Sequence, residues 1–364
     1  MSIGVLHLRS STGLYGAEQV LLGLCQQQAL RLGRPAIAAF TADPEQPPDL
    51  LRAAWVRGLQ VVPLRCRGPI DPGCVRRLRQ LLRETRVELL HCHDYKSVVY
   101  ARIASSGLRL ARVATLHGWL RHGLRLAAYR WLELRALRGF DRVCAVSEDI
   151  ADELVDAGLA AEQVRRVDNG IDVERFQPQA APEPRANPDI VELGCAARLS
   201  PEKNLAELIR AVAECRRQGR RLRLTICGEG PLRERLISLI DALELHDTVH
   251  LIGVCRGMAQ WYSSLDALVL PSLTEGMPMT VLEALACGCP VVASAVGAIP
   301  TLLHGLNDCQ LLPPGDRAAL VDALLSVQPR QVPQWQARAR VVERFSLGRM
   351  TETYQAVYRE ALEA

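Results

Sequence analysis

A chain of 364 residues is long enough for two domains with full cores. Its twelve cysteines are scattered through apparent strands and helices with no Cys-x2-Cys pair, so they read as reduced thiols of a cytoplasmic protein rather than a disulfide framework. Aromatics make up only 4% of the chain and no nucleic-acid motif is present, which excludes nucleic acid as a partner, while the +4 net charge is unevenly spread: residues 1–168 carry 24 basic against 17 acidic side chains, and residues 169–364 carry 20 against 23.

Apolar runs alternate with helical periods from the start. A strand is expected near residues 4–8, a helix over 17–32 and a strand near 36–40. His7 and Arg9 interrupt the first apolar run, which leads straight into a glycine loop, so neither a signal peptide nor a membrane-spanning helix fits there. Further strands are expected near 60–64, 88–92, 112–116 and 142–146, each separated by a helix, which makes a first parallel βα domain. Residues 177–188 hold four prolines and no apolar periodicity, and read as an extended linker. A second series follows, with strands near 190–196, 223–227, 248–252, 267–270 and 290–293 and a helical tail over 347–362. Ligands of open parallel sheets bind at the carboxyl ends of the strands.

The most informative stretch is 271–296. Glu275 and Glu283 stand eight positions apart around the start of one short helix: Pro278 suits its first position, Val281, Leu282, Ala284 and Leu285 its buried face, and Gly288 its end. Eight residues at helical rise is roughly 12 Å, wider than the ~5 to 9.5 Å between the carboxyls of a glycosidase. The spacing suits two acceptors gripping different parts of one long, hydroxyl-rich ligand whose anionic middle faces the helix N-terminus. A nucleotide sugar has that shape.

This segment resembles the Glu-x7-Glu signature of retaining glycosyltransferases of family 4. The resemblance extends along nearly the whole chain, through Gly13-Leu14-Tyr15-Gly16-Ala17-Glu18, Thr115-Leu116-His117-Gly118, Ala145-Val146-Ser147-Glu148, Asn169-Gly170-Ile171-Asp172, Arg198-Leu199-Ser200-Pro201-Glu202-Lys203-Asn204 and Cys227-Gly228-Glu229-Gly230-Pro231. It implies an α/β GT-B architecture, two Rossmann-like domains facing across a cleft: an acceptor domain over 1–174, a nucleotide-sugar donor domain over 175–345, and a C-terminal helix over 346–364 crossing back to the first domain. By the same resemblance the catalytic residues are His117, Arg198, Lys203 and Glu275. Donor contacts fall to Gly16, Arg198, Lys203, Gly228, Glu275, Gly276, Met277 and Glu283, and acceptor contacts to Tyr15 and His117. Many members have Gly-Phe-Gly-Leu after the first Glu; here the string is Gly276-Met277-Pro278-Met279, and Pro278 has no N–H to offer a sugar.

The expected activity is transfer of a sugar from a nucleotide diphosphate to a glycan or lipid-linked acceptor in polysaccharide assembly, retaining and metal-independent, with no cofactor and no protein nucleophile. Arg198 offers a planar fork of donors and Lys203, one of two lysines in the chain, a point charge for the departing phosphate. An epimerase or phosphorylase on the same fold, and a non-catalytic nucleotide-sugar sensor, are the rival readings. His91 and His93 share one strand face, but no further group with zinc spacing is evident, so no metal is assigned. On residues 75–85, Arg76, Arg77, Arg79 and Arg83 take one helical face and Val75, Leu78, Leu81 and Leu82 the other. That face is either solvated or a peripheral contact with an anionic membrane on its cytoplasmic side.

Overall fold

The computed structural model describes residues 4–11, 13–31, 33, 35–117, 124–179, 187, 189–330 and 332–364, and the side chains of 124–128 fall outside that description. Gly118 and most of the proline-rich stretch after Gln179 therefore lie outside the described residues. The chain divides into two compact units, residues 1–170 with 347–364, and residues 171–346.

In the first unit β1 (Val5–Arg9), α1 (Gly16–Arg31), β2 (Ala36–Thr41), α2 (Asp49–Val56), β3 (Gln60–Arg65), α3 (Pro72–Glu84), β4 (Leu89–Cys92), α4 (Tyr95–Ala104), β5 (Ala111–Leu116), α5 (Leu124–Leu137), β6 (Arg142–Ala145), α6 (Glu148–Asp156) and β7 (Val164–Arg166) build a parallel sheet ordered β3-β2-β1-β4-β5-β6-β7. The central strands are buried on both faces because helices cover both, and Pro63 is tolerated because β3 is an edge strand. Asp71, Asp94 and Ser147 cap α3, α4 and α6, which fixes where these helices begin.

The second unit repeats the scheme. β8 (Val191–Ala196), α7 (Leu205–Arg217), β9 (Leu222–Cys227), α8 (Arg233–Ala242), β10 (Val249–Gly253), α9 (Met258–Ser264), β11 (Ala267–Leu270), α10 (Met279–Ala286), β12 (Val291–Ser294), α11 (Ile299–Leu303), β13 (Gln310–Leu312), α12 (Arg317–Ser326) and α13 (Trp335–Arg344) form a parallel sheet ordered β10-β9-β8-β11-β12-β13 around a core that includes Leu193, Leu208, Val212, Leu224 and Leu324. β7 and β13 are edge strands absent from the sequence reading. Each has three residues, too few to show a period. Pro278, expected at the first helical position, sits one place earlier at the N-cap of α10.

Helix α14 (Leu347–Leu362) belongs to the first unit, packing on α1 and β5. Met350, Tyr354, Val357, Tyr358 and Ala361 form its buried stripe. Beneath it lies a polar network with one direction. The Gln28 carboxamide oxygen accepts from His7 Nε2 (2.8 Å), so neutral His7 must accept at Nδ1 from His93 Nε2 (3.0 Å). The Gln28 amide nitrogen donates to Tyr358 Oη (3.1 Å), which is bonded to His91 Nδ1 (2.8 Å), while His91 Nε2 is bonded to Thr115 Oγ1 (2.8 Å), itself bonded to Tyr354 Oη (2.9 Å). One amide orientation thus fixes the tautomers of His7 and His93.

His7 joins the His91–His93 pair seen in the sequence, with one ring nitrogen of each inside a 4.8 Å cluster. Both nitrogens of His7 and both of His91 are already committed to hydrogen bonds. A cation would have to break the network to bind.

The basic face of α3 is halved by the fold. Arg77 donates to Arg65 O (2.7 Å) and Asp71 (3.1 Å), and Arg79 donates to Ala104 O (2.9 Å) and Ser106 O (2.7 Å) beyond the end of α4. Arg76 and Arg83 stay exposed. Among the described residues no helix is long and apolar enough to cross a membrane.

Two outcomes follow from the buried network. Burial pulls His7 down to about 4 and His91 and His93 well below the usual imidazole range. The unfolded chain therefore binds more protons below pH ~6.5, and stability falls with pH from there toward ~4, each group contributing up to about 1.4 kcal/mol per pH unit. Urea midpoints of the first unit, followed by hydrogen exchange of β1 and β4 between pH 7.5 and 5, should fall steeply; a flat profile would refute neutral buried imidazoles. Separately, Tyr358→Phe leaves Gln28 Nε2 and His91 Nδ1 without a partner and should cost about 1 to 3 kcal/mol in the urea unfolding of the same unit.

Candidate active site

The strand order reverses between β1 and β4 in one sheet and between β8 and β11 in the other, and in such sheets the crevice beyond the carboxyl ends at that point receives ligands. Most of the residues singled out from the sequence lie on loops at these two edges.

At the first edge a short loop runs from β1 into α1. Asp94 Oδ2 accepts from Ser10 N (2.6 Å) and its Oδ1 from Ser10 Oγ (2.7 Å), while the same side chain caps α4 through Ser97 N (3.0 Å). Glu18 closes the other end, accepting from Tyr15 N (3.0 Å) and from Arg9 Nε (2.8 Å). Arg9 also donates to His93 O (2.9 Å). The loop is pinned at both ends, with Tyr15 exposed at its tip and Gly16 opening α1. Sequence reasoning named Tyr15 and Gly16 but missed the holders Arg9 and Asp94; an Asp placed to cap a helix directly after a strand was the available signal. His117 follows β5. Its Nε2 is buried and has no hydrogen-bond partner among the described residues, and burial, with Arg9 nearby, lowers the imidazole to about 3. It is neutral at physiological pH and keeps one polar atom uncommitted.

At the second edge four loops interlock. Leu199 N donates to Glu229 O (3.0 Å), Leu232 N to Leu199 O (3.0 Å), Leu273 N to Glu202 O (2.8 Å) and Ala298 N to Gly276 O (2.8 Å). Two glycines permit this closeness: at Gly228, φ +144°, a Cβ would collide with Ala197 O, and at Gly297, φ +57°, with the carbonyls of Glu275 and Gly276. Gly297 was not foreseen. Lys203 Nζ donates to Glu275 Oε1 (2.6 Å), which also accepts from Ser272 Oγ (2.7 Å). The structure thus joins two residues that the sequence assigned to different parts of a ligand. Asn204 takes a left-handed turn, φ 55°, which ends the Lys203 loop and opens α7.

Arg198 is exposed, and no described residue hydrogen-bonds or ion-pairs with its guanidinium. Met277 is buried below the loop, and Gly276 is half-buried. Glu283 lies inside α10, where its Oε2 accepts from Tyr262 Oη (2.7 Å) and burial raises the carboxyl to about 7, against the opposing pull of that hydrogen bond and of Arg175. The edge therefore presents one uncommitted guanidinium, a lysine–carboxylate pair, a half-buried carboxyl near its ionisation point and closely packed backbone. It can neutralise an anion and accept from hydroxyls.

Residues 15–175 match the family described as Glycosyltransferase Family 4, and residues 191–328 match Glycosyl transferases group 1. The D-inositol 3-phosphate glycosyltransferase of Saccharomonospora viridis is 34% identical over 62% of this chain and 56% of its own length. The amylovoran biosynthesis glycosyltransferase AmsK of Erwinia amylovora is 32% identical over 48% of this chain and 44% of its own. The chain thus spans about half the length of these curated relatives. The crystal structure of Anabaena HepE in complex with UDP-glucose superposes with a TM-score of 0.81 at 21% identity, covering 98% of this chain and 99% of that one. The two parallel-sheet Rossmann-like units, each with its own match to a glycosyltransferase family model, have the GT-B fold.

Proposed function

We propose that the chain transfers a sugar from a nucleoside diphosphate to a hydroxyl acceptor with retention of configuration, in the assembly of a polysaccharide or lipid-linked glycan. The observation that carries this reading is the second edge, where Arg198 stands uncommitted near a Lys203–Glu275 pair on loops of one crevice. HepE holds UDP-glucose and AmsK belongs to amylovoran biosynthesis, which supports a nucleotide-sugar donor and a glycan product.

The bond between the anomeric carbon and the diphosphate oxygen breaks, and its electron pair goes to the diphosphate. Arg198 and Lys203 stabilise that charge as the sugar becomes oxocarbenium-like. The acceptor oxygen bonds to the same face of the anomeric carbon, and its proton passes to the leaving phosphate, so two protein cations suffice without a metal or a nucleophile. Glu275 accepts from donor-sugar hydroxyls beside the N–H groups of Gly276 and Met277; Pro278 contributes none. Glu283 accepts from the ribose, and the glycine turns at Gly16 and Gly228 admit the diphosphate to backbone amides. Tyr15 and His117, on the first domain, serve the acceptor. Peripheral attachment to an anionic membrane would rest on Arg76 and Arg83, at about 1 kcal/mol each.

Arg198→Ala and Lys203→Ala should each weaken nucleotide-sugar binding and slow turnover by about 1.5 to 3 kcal/mol, roughly 10- to 150-fold. They should differ in stability. Lys203→Ala leaves the buried Glu275 carboxylate without its cation and should lower the melting temperature, whereas Arg198→Ala should not. Calorimetric titration and thermal unfolding of both variants decide the matter; wild-type affinity in both would remove the phosphate site.

Activity should persist in excess EDTA, and the first-formed product should keep the donor's anomeric configuration. Proton NMR during the initial turnovers reads this directly, and an inverted anomer would overturn the mechanism.

A further inference from the structure

Tyr262 lies in α9 with no exposed surface, its ring packed between Trp261 and Phe176 at centroid distances of 5.2 and 6.5 Å. Its backbone is held as firmly. Arg330 donates to Ser263 O (2.7 Å) and to Gly288 O, so one guanidinium ties the end of α9 to the turn that ends α10. The Tyr262 hydroxyl is left one direction to point, toward Glu283 Oε2 at 2.7 Å.

We infer that Tyr262 is a positioning residue for nucleotide binding, whose hydroxyl holds one oxygen of Glu283 and leaves the other turned to accept ribose hydroxyls. The inference rests on the reading that Glu283 receives the ribose. With Oε2 engaged, Oε1 retains both lone pairs, the capacity a vicinal diol needs. Burial alone would leave the group protonated well above the usual carboxylate range, and a protonated carboxyl has lost acceptor capacity. The groups facing it are Tyr262 from α9, Arg175 from the segment entering the second unit, Cys227 at the end of β9 and Cys287 at the end of α10. Arg175 alone among them is cationic, and it acts through space, whereas Tyr262 makes the direct hydrogen bond. Deleting that bond moves the ionisation of Glu283 upward, because the charged form loses its nearest donor.

The experiment compares wild type, Tyr262→Phe and Glu283→Gln by calorimetric titration with UDP-glucose, GDP-mannose and ADP-glucose. These probes share the ribose, and their diphosphate diesters do not titrate between about pH 6 and about pH 8.5. Wild-type affinity should climb with pH through about 7 and then level off, by at most tenfold per pH unit. In Tyr262→Phe the climb should be displaced to higher pH, with affinity about 3- to 10-fold weaker at pH 7 and approaching wild type at the top of the range. A shared midpoint, or a loss equal at every pH, would show a purely structural tyrosine and overturn the inference. Glu283→Gln should be weak and flat with pH. If it binds like wild type, or if wild type binds none of the three probes, the ribose reading itself fails, an outcome separable from failure of the tyrosine's role.

Discussion

In a parallel sheet every strand runs the same way, so every strand-to-helix loop emerges at one edge and every return loop at the other. That constraint governs this molecule twice over. In each unit the order reverses beside the first strand of the series, at β1/β4 and at β8/β11, so neighbouring helices depart to opposite faces and leave a gap above the sheet. A gap lined by strand ends is lined by unsatisfied backbone groups, which must be paired. Asp94 performs that task in one unit by accepting from Ser10 N, whereas in the other the loops pair with one another, Leu199 N with Glu229 O, Leu273 N with Glu202 O and Ala298 N with Gly276 O. The second edge thus satisfies its backbone without its polar side chains, which leaves Lys203, Ser272 and Glu275 to bond among themselves.

The polar layer under α14 obeys a different logic. Three neutral histidines, a glutamine, a threonine and two tyrosines occupy volume that leucines could fill at no desolvation cost. The network contributes register. Tyr354 and Tyr358 are one helical turn apart and meet partners on β4, β5 and α1 together, so rotating or sliding α14 by one residue would orphan several buried polar groups at once. An apolar stripe would tolerate that slip. Selecting one docking of the terminal helix fixes the shape of the β4 and β5 ends, from which His93 and His117 follow directly.

Much of this architecture was legible because fully covered parallel strands leave uninterrupted apolar runs, and because glycine, proline and capping residues punctuate the helices between them. The short edge strands β7 and β13 lacked enough residues to register. The site was legible as a set of residue types at set spacings, not as a set of pairings. Arg79 lies on the outward arc of a helical wheel, yet its guanidinium reaches carbonyls 25 and 27 residues away. His7 meets His93 across 86 residues, and Tyr262 meets Glu283 across 21. A wheel or an alternation gives the direction of a side chain, whereas its partner depends on how separate segments come to lie side by side. Gly297 was missed for the same reason, since the backbone it makes room for belongs to the loop before α10.

The Lys203–Glu275 pair then has a reading that spacing alone would not provide. Lys203 and Ser272 both donate to Oε1 of Glu275, which leaves Oε2 for a sugar hydroxyl on the proposed function. The ammonium has three protons, one of them spent on the carboxylate, so two remain for a phosphate. On the proposed function a donor can therefore add to the pair without breaking it. The cost of such preorganisation is a weaker field: at the phosphate, the positive charge of Lys203 is offset by the carboxylate 2.6 Å from it, whereas Arg198 has no such neighbour. Long-range attraction for the diphosphate then falls mainly to Arg198, and Lys203 with Glu275 sets where the phosphate and the adjoining sugar come to rest. On the proposed function the two cations divide the work of binding, because only one of them is already neutralised by the protein.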